Sequence, residues 1–137
     1  MSYALSAPLQ LAVYNTLMSD AGVAALVGAS IFDALPAGSR PETYITLGEE
    51  EVRDQSDNTG AGALHRFEIS VVTETAGYAQ IKTVAAAVCD ALLGTDLVLS
   101  RGRVVNLSFE RASARRSGKA GRLRRIDLRF RARVEDS

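Results

Sequence analysis

Residues 122–134 read RLRRIDLRFRARV. Ile126, Leu128, Phe130, Ala132 and Val134 take every second position, and Arg125, Asp127, Arg129, Arg131 and Arg133 fill the gaps. A period of two is the repeat of an extended chain, whose successive side chains point to opposite faces of a sheet. One face of this strand is apolar and needs a core. The other is almost entirely arginine and needs counter-charges or a polyanion. The preceding segment, residues 103–111, alternates as well, which sets Val105, Leu107 and Phe109 inward and Asn106, Ser108 and Glu110 outward. Residues 112–121, ASARRSGKAG, are small and basic and are expected to form the loop between the two strands. A short link of this kind makes them antiparallel neighbours.

Working back along the chain, residues 78–93 carry Ile81, Val84, Ala85, Val88 and Leu92 on one helical stripe, ended by Gly94. Their alanines favour helix and permit close approach to a sheet. Residues 64–73 alternate, with Phe67, Ile69 and Val71 on one face and Arg66, Glu68 and Ser70 on the other. Leu9, Val13 and Leu17 mark a helix over residues 8–19, with Ser6 as its expected cap and Pro8 in its first turn. Asp20 opens a second short turn that Gly28 closes. Short extended pieces are expected at residues 31–35, 44–47 and 97–99, and a mobile polar loop at residues 53–63. Helix, strands, helix, strands is the order of an α+β fold. The expectation is an antiparallel sheet with two main helices packed on one face, formed by residues 1–137 as a single domain.

The chain has 137 residues and is 47% hydrophobic but only 6% aromatic, so small aliphatic residues must fill the core. Its one cysteine, Cys89, has no partner for an internal disulfide, in keeping with a reducing compartment. The first residues lack the order of a signal peptide, and no apolar run approaches the roughly 20 residues of a membrane-spanning helix. A protein made inside the cell, with no membrane partner, is expected. The formal net charge is zero, and that figure conceals an asymmetry. Residues 1–100 hold four basic and 12 acidic residues, a balance of −8, whereas residues 101–137 hold 12 basic and four acidic ones, a balance of +8. Either the two segments neutralise each other within one copy, or they meet between copies, or the basic surface meets nucleic acid.

Signals for catalysis are nearly absent. His65 is the only histidine and shares the parity of Phe67 and Ile69, which makes it a packed residue rather than a catalyst. Cys89 sits beside Val88 in an amphipathic helix and reads as a small core residue. No residues show metal-ligand spacing, and Gly60-Ala61-Gly62 lacks the lysine of a phosphate-binding loop. No catalytic, cofactor or metal site is therefore expected. The triplet Glu49, Glu50 and Glu51 reads as a solvated run or an interface contact ahead of a cation site. Arg115, Arg116, Lys119, Arg122, Arg124 and Arg125 cluster near the closing hairpin, but no outward aromatic residue accompanies them for base stacking. Nonspecific contact with a nucleic-acid backbone stays open; sequence-specific reading is not expected.

The order of elements and several short phrases give the chain a likeness. PLQLAVYNTLMSDAGVAALVG (8–28), IFDALP (31–36) and YITLGEEEVRDQS (44–56) are followed by LHRFEISVVTETAGYAQIKTVAAAVCDALLG (64–94). LVLSRGRVVNLSFERASARR (97–116) and LRRIDLRFRARVE (123–135) close the series. The chain resembles the tail-terminator, or tail-completion, family of long-tailed bacteriophages, prophages and gene transfer agents. The resemblance implies a structural, non-enzymatic virion protein. It would form a ring, usually hexameric, at the head-proximal end of the tail after assembly in the bacterial cytoplasm. The ring would stop polymerisation of the major tail tube protein, dock the head through its connector or stopper protein, and surround a channel for DNA.

A ring needs one patch on each copy to meet a different patch on the next. The expected acidic patch is Glu49, Glu50, Glu51, Asp54 and Asp57. The expected basic patch is Arg115, Arg116, Lys119, Arg122 and Arg124, with Arg125, Arg129, Arg131 and Arg133 at the interface or in the channel. The competing expectation is a small nucleic-acid-binding module that uses the basic hairpin nonspecifically.

Overall fold

A computed structural model describes residues 2–58 and 60–136. Three helices, α1 (Ser6–Ser19), α2 (Ala21–Val27) and α3 (Ala79–Leu93), accompany strands β1 (Ile31–Phe32), β2 (Thr43–Asp54), β3 (Gly62–Thr73), β4 (Arg103–Ser117) and β5 (Leu123–Glu135). The strands form one sheet in the order β1-β2-β3-β5-β4. Every pairing is antiparallel except β1 with β2, which is parallel. The fold is α+β, as the alternation and the two long helical stripes require.

The closing strand lies between β3 and β4, and its alternation is realised residue by residue. Ile126, Leu128, Phe130, Ala132 and Val134 are buried. Phe67 of β3 stacks on Phe130 with ring centroids 5.7 Å apart, and Phe109 of β4 meets it edge-on at 6.0 Å. The stripe Ile81, Val84, Ala85, Val88 and Leu92 of α3 is buried in the same apolar cluster, with Leu9, Val13 and Leu17 of α1. Gly102, at φ +69°, turns the chain into β4; a Cβ there would lie 2.6 Å from the Glu135 carbonyl oxygen and 2.7 Å from Leu5. Glycine is required both by the backbone angle and by the space.

Several local expectations change. Ser6 is the first residue of α1 and does not cap it: Leu5 holds the cap position, and no side chain bonds the free N–H groups there. Asp20 does cap α2, accepting from the Val23 N–H at 2.9 Å, and Gly28 ends that helix at φ +59°. β2 does not stop at Leu47. It runs through the acidic triplet to Asp54, with a bulge between Leu47 and Glu50. The expected loop over residues 53–63 thereby shrinks to a turn between β2 and β3. Residues 112–117 are strand, because they pair with β5 as far as Ser117 with Leu123. Residues 33–35 and 97–99 belong to no strand; around the latter, Leu97 is buried in the core while Val98 is 85% exposed.

β4 also breaks its own alternation. Val105 and Glu110 each fall at a register shift, between Val104 and Asn106 and between Phe109 and Arg111. A bulge adds an unpaired residue and resets the parity beyond it. Leu107 and Phe109 keep the core face opposite Ala132 and Phe130, whereas Val105 is left 43% exposed. Phe109 is 44% exposed because β4 is the last strand of the sheet and nothing lies beside it.

Phe130→Ala is expected to lower the unfolding free energy by about 3–5 kcal/mol, the range for truncating a buried aromatic ring. Val98→Ala should change it by less than about 0.5 kcal/mol, the range for exposed positions. Urea midpoints of the two variants check the contrast.

Candidate functional site

The sheet face away from the helices carries the arginine ladder. Across β4 and β5, Arg111 stands opposite Arg129, Ser113 opposite Asp127 and Arg115 opposite Arg125. On the other flank Ser70 of β3 faces Asp127, and Glu68 faces Arg129. Asp127 is thus set among cations. Its Oδ1 accepts from Ser70 Oγ at 2.6 Å and Arg125 Nε at 2.7 Å, and Arg115 lies 3.3 Å from Oδ2. Burial works to raise the Asp127 carboxyl. The hydrogen bonds from Ser70 and Arg125, with the charges of Arg125 and Arg115, outweigh it and hold the group below the ordinary aspartate range.

Some of the ladder is committed within the chain. Arg133 donates to the Gln55 side chain at 2.9 Å and to its carbonyl at 3.2 Å, clamping the β2–β3 turn, with Glu135 at 3.6 Å and Asp57 at 3.9 Å. Arg124 lies over the Tyr78 ring, 5.9 Å from its centroid. Arg129 and Arg131 differ. Neither forms an ion pair among the described residues, and Arg129 Nε is buried without a hydrogen-bond partner there. Arg116, Lys119 and Arg122, at the tip of the β4–β5 hairpin, are exposed.

The acidic triplet is divided by the pleat of β2. Glu50, opposite Phe67, points to the helix side, whereas Glu51, opposite Arg66, points to the arginine side. Ser6 Oγ lies 2.7 and 2.8 Å from the two Glu50 oxygens, the Tyr3 hydroxyl donates to one of them, and His65 Nδ1 is 3.3 Å from the other. Burial works to raise Glu50, but the hydrogen bonds from Tyr3, Ser6 and His65 win and lower it. Glu50 therefore ties the start of α1 to the sheet. Glu51 bonds Arg53 at 2.7 Å, Asp54 accepts from Ser56 at 2.7 Å, and Asp57 accepts from the Gly60 N–H at 3.0 Å; Glu49 is exposed. Because its side chains diverge to opposite faces, the triplet does not converge on a cation, and no metal-holding cluster exists among the described residues.

His65 is fully buried, with Nε2 unpartnered among the described residues. Cys89 is half-buried against the core. Burial, and then Asp90, push its thiol up, away from the reactive thiolate. Sequence reasoning missed the partners that organise these charges: Ser70 and Ser6 are ordinary serines until the sheet register and the helix docking set them beside Asp127 and Glu50.

Few close ion pairs join the two charged segments among the described residues. Among the described residues, the ion pairs that join residues 1–100 to residues 101–137 are Arg66 with Glu110 at 3.1 Å and Arg133 with Asp57 at 3.9 Å. In the first of these, the acid comes from the basic segment. Arg101 with Asp136, Arg103 with Glu135 and Arg115 and Arg125 with Asp127 all lie inside the basic segment.

The family model for "Tail completion protein gp17" matches residues 11–135. The chain belongs to the tail completion protein gp17 family. It is also similar to a chain in a solved structure titled "Virion of native gene transfer agent (GTA) particle". The two are 59% identical, with a TM-score of 0.92 over 98% of this chain and 99% of that one. No curated protein matches the chain. Family membership gives the charge distribution its context: a structural tail protein of a phage-like particle, whose surfaces meet other proteins.

Asp127→Asn would leave Arg115 and Arg125 facing a neutral amide, at an expected cost of about 1.5–3 kcal/mol, the range for a hydrogen bond to a charged group. Because the folded Asp127 is lowered, its contribution is present above the unfolded aspartate value and is lost as pH falls through the folded one. The wild-type and Asp127→Asn stabilities should therefore converge in acid. Urea unfolding at neutral pH and at successively lower pH measures the convergence.

Proposed function

We propose that this chain is a tail terminator: a non-enzymatic virion protein that forms a ring, hexameric as in the family it resembles, at the head-proximal end of the tail tube. The ring ends polymerisation of the major tail tube protein, presents the surface to which the head docks through its connector or stopper protein, and encloses a channel for DNA. It is assembled in the bacterial cytoplasm and retained in the particle. The observation that carries this reading is the end-to-end likeness, at 59% identity, to a chain of a gene transfer agent virion.

The opposite balance of charge in residues 1–100 and 101–137 supports head-to-tail contact between copies. Glu49, Glu51, Asp54 and Asp57 of one copy approach Arg115, Arg116, Lys119, Arg122 and Arg124 of the next. Exposed pairs of this kind contribute about 0–1 kcal/mol each, so they set register while apolar contacts supply most of the affinity. Glu50, bound to Ser6 and Tyr3 of its own chain, serves the fold rather than the contact. Arg129 and Arg131, on the sheet face away from the helices and outside any described ion pair, favour a second role in nonspecific contact with the DNA backbone.

Deleting the chain should yield intact heads separated from tails of abnormal length by electron microscopy. Tails of normal length joined to heads would refute the terminator role. Reversing Glu49 and Glu51 to Lys, or Arg115 and Arg116 to Glu, should reduce completed particles, and combining the reversals should restore them. If the combination never restores what either reversal loses, the charged pairing fails. A free-standing nucleic-acid module would instead show DNA affinity that falls steeply with salt and no effect on tail length.

A further inference from the structure

Two loops of opposite charge lie at opposite ends of the sheet. Residues 49–57, which lead into the β2–β3 turn, hold five acids and one base, a balance of −4. Residues 115–122, at the tip of the β4–β5 hairpin, hold four bases and no acid, a balance of +4. The turn adjoins the pairs Asp54 with Ala63 and Gly62 with Glu135, whereas the tip adjoins Ser117 with Leu123 and Thr73 with Arg124. Between Arg124 and Glu135 the strand β5 advances about 35 Å, at roughly 3.3 Å per residue.

An arginine of β5 holds each loop in place. Arg133 bonds both the side chain and the carbonyl of Gln55, and a Cβ on Gly62 would come within 2.9 Å of that guanidinium and of that carbonyl oxygen. At the tip, Arg124 lies over the Tyr78 ring, and a Cβ on Gly118 would stand 3.0 Å from Leu123. Ala120 is set at φ +56°, a left-handed angle uncommon for a residue with a Cβ. Loops fixed beforehand lose little freedom on association. Beside the turn, Arg101 and Arg103 are paired with Asp136 and Glu135. At the tip, Arg116, Lys119 and Arg122 enter no ion pair among the described residues.

We propose that copies of this chain meet end to end along β5: the basic hairpin tip of one copy seats on the acidic β2–β3 turn of the next, and the strands lie in the plane of the ring. This rests on the ring reading above and adds the direction of the sheet within the ring.

Charge selects the occupant. Two tips would set cations against cations, and two turns would set carboxylates against carboxylates; either contact would be two-fold and repulsive. Tip on turn is attractive and heterologous.

Closure then fixes the direction. Successive copies of a closed ring differ by rotation alone, so the turns of all copies stand at one height along the axis. If the tip of one copy meets the turn of the next, the tip and turn of a single copy also stand at one height. The line between them is therefore perpendicular to the axis. That line runs about 35 Å along β5 and about 10 Å across two strand spacings, which sets the strands within about 20° of the ring plane. An offset along the axis would give an open helical filament instead. Six copies joined by chords of this length place the contacts about 35 Å from the axis.

The chain has two lysines, Lys82 on α3 and Lys119 at the tip, so cross-links from its amines are few enough to map. Assembled particles of the unsubstituted chain are treated with a carbodiimide, which joins an amine to a carboxylate in contact with it, and are digested for mass spectrometry. Lys119 should be joined to Glu49, Glu51, Asp54 or Asp57, in covalent multimers of the chain. Opposite ends of one copy are too far apart for that bond, so it reports a neighbour. Lys119→Arg keeps the charge, removes the amine and should abolish the link. Electron microscopy of the same particles reads the sheet direction: β5 should lie nearer the ring plane than the axis. A ring with β5 nearer the axis overturns end-to-end contact and leaves the ring reading standing. So do particles with tails of wild-type length in which Lys119 joins no acid of residues 49–57. Normal tails in the absence of the chain overturn the ring reading, and the end-to-end contact with it.

Discussion

The position of β5 between β3 and β4 is the constraint on which the rest of the structure depends. Phe130 is held between Phe67 and Phe109, and the row Ile126, Leu128, Phe130, Ala132 and Val134 forms the floor on which α1 and α3 pack. A strand with neighbours on both sides satisfies its backbone hydrogen bonds along its length, so it tolerates alternating apolar and charged faces only if each face finds its own environment. The helices supply one environment. The other face places its arginines in register with those of β4, and Asp127 and Ser70 relieve part of the resulting repulsion.

That repulsion is only partly relieved. Most described ion pairs stay inside the basic segment, and only Arg66 with Glu110 and Arg133 with Asp57 join it to the rest of the chain. Opposite charge on different segments is suited to steering complementary protein partners. This suits a structural protein of a phage-like tail, whose surfaces meet other proteins of the particle. The buried Glu50 cluster serves a different end: it fastens the start of α1 to β2, and so keeps the helix layer on one side of the sheet.

The legibility of the fold and of the site varied with how local the deciding physics was. The α3 stripe, the Asp20 cap and the two faces of β5 depend on periodicity and on neighbours within a few residues, and all were readable. The β4 bulges at Val105 and Glu110 were not, because a bulge is defined against its partner strand. Residues 112–117 looked like a loop for their small and basic composition, but pairing with β5 overrode that composition. Glu50 looked like one of three equivalent surface acids. Its separate role follows from the bulge that turns it toward Ser6 and Tyr3, a contact between residues more than 40 positions apart.

The sequence by itself determined the α+β class, the amphipathic closing strand, the opposed charge of the two segments and the resemblance to tail-completion proteins, because all of these reside in local pattern and composition. Only the tertiary structure decided the strand order and which arginines are spent within the chain. Those are outcomes of long-range pairing, in which each strand's partner is chosen by the whole core rather than by its own residues.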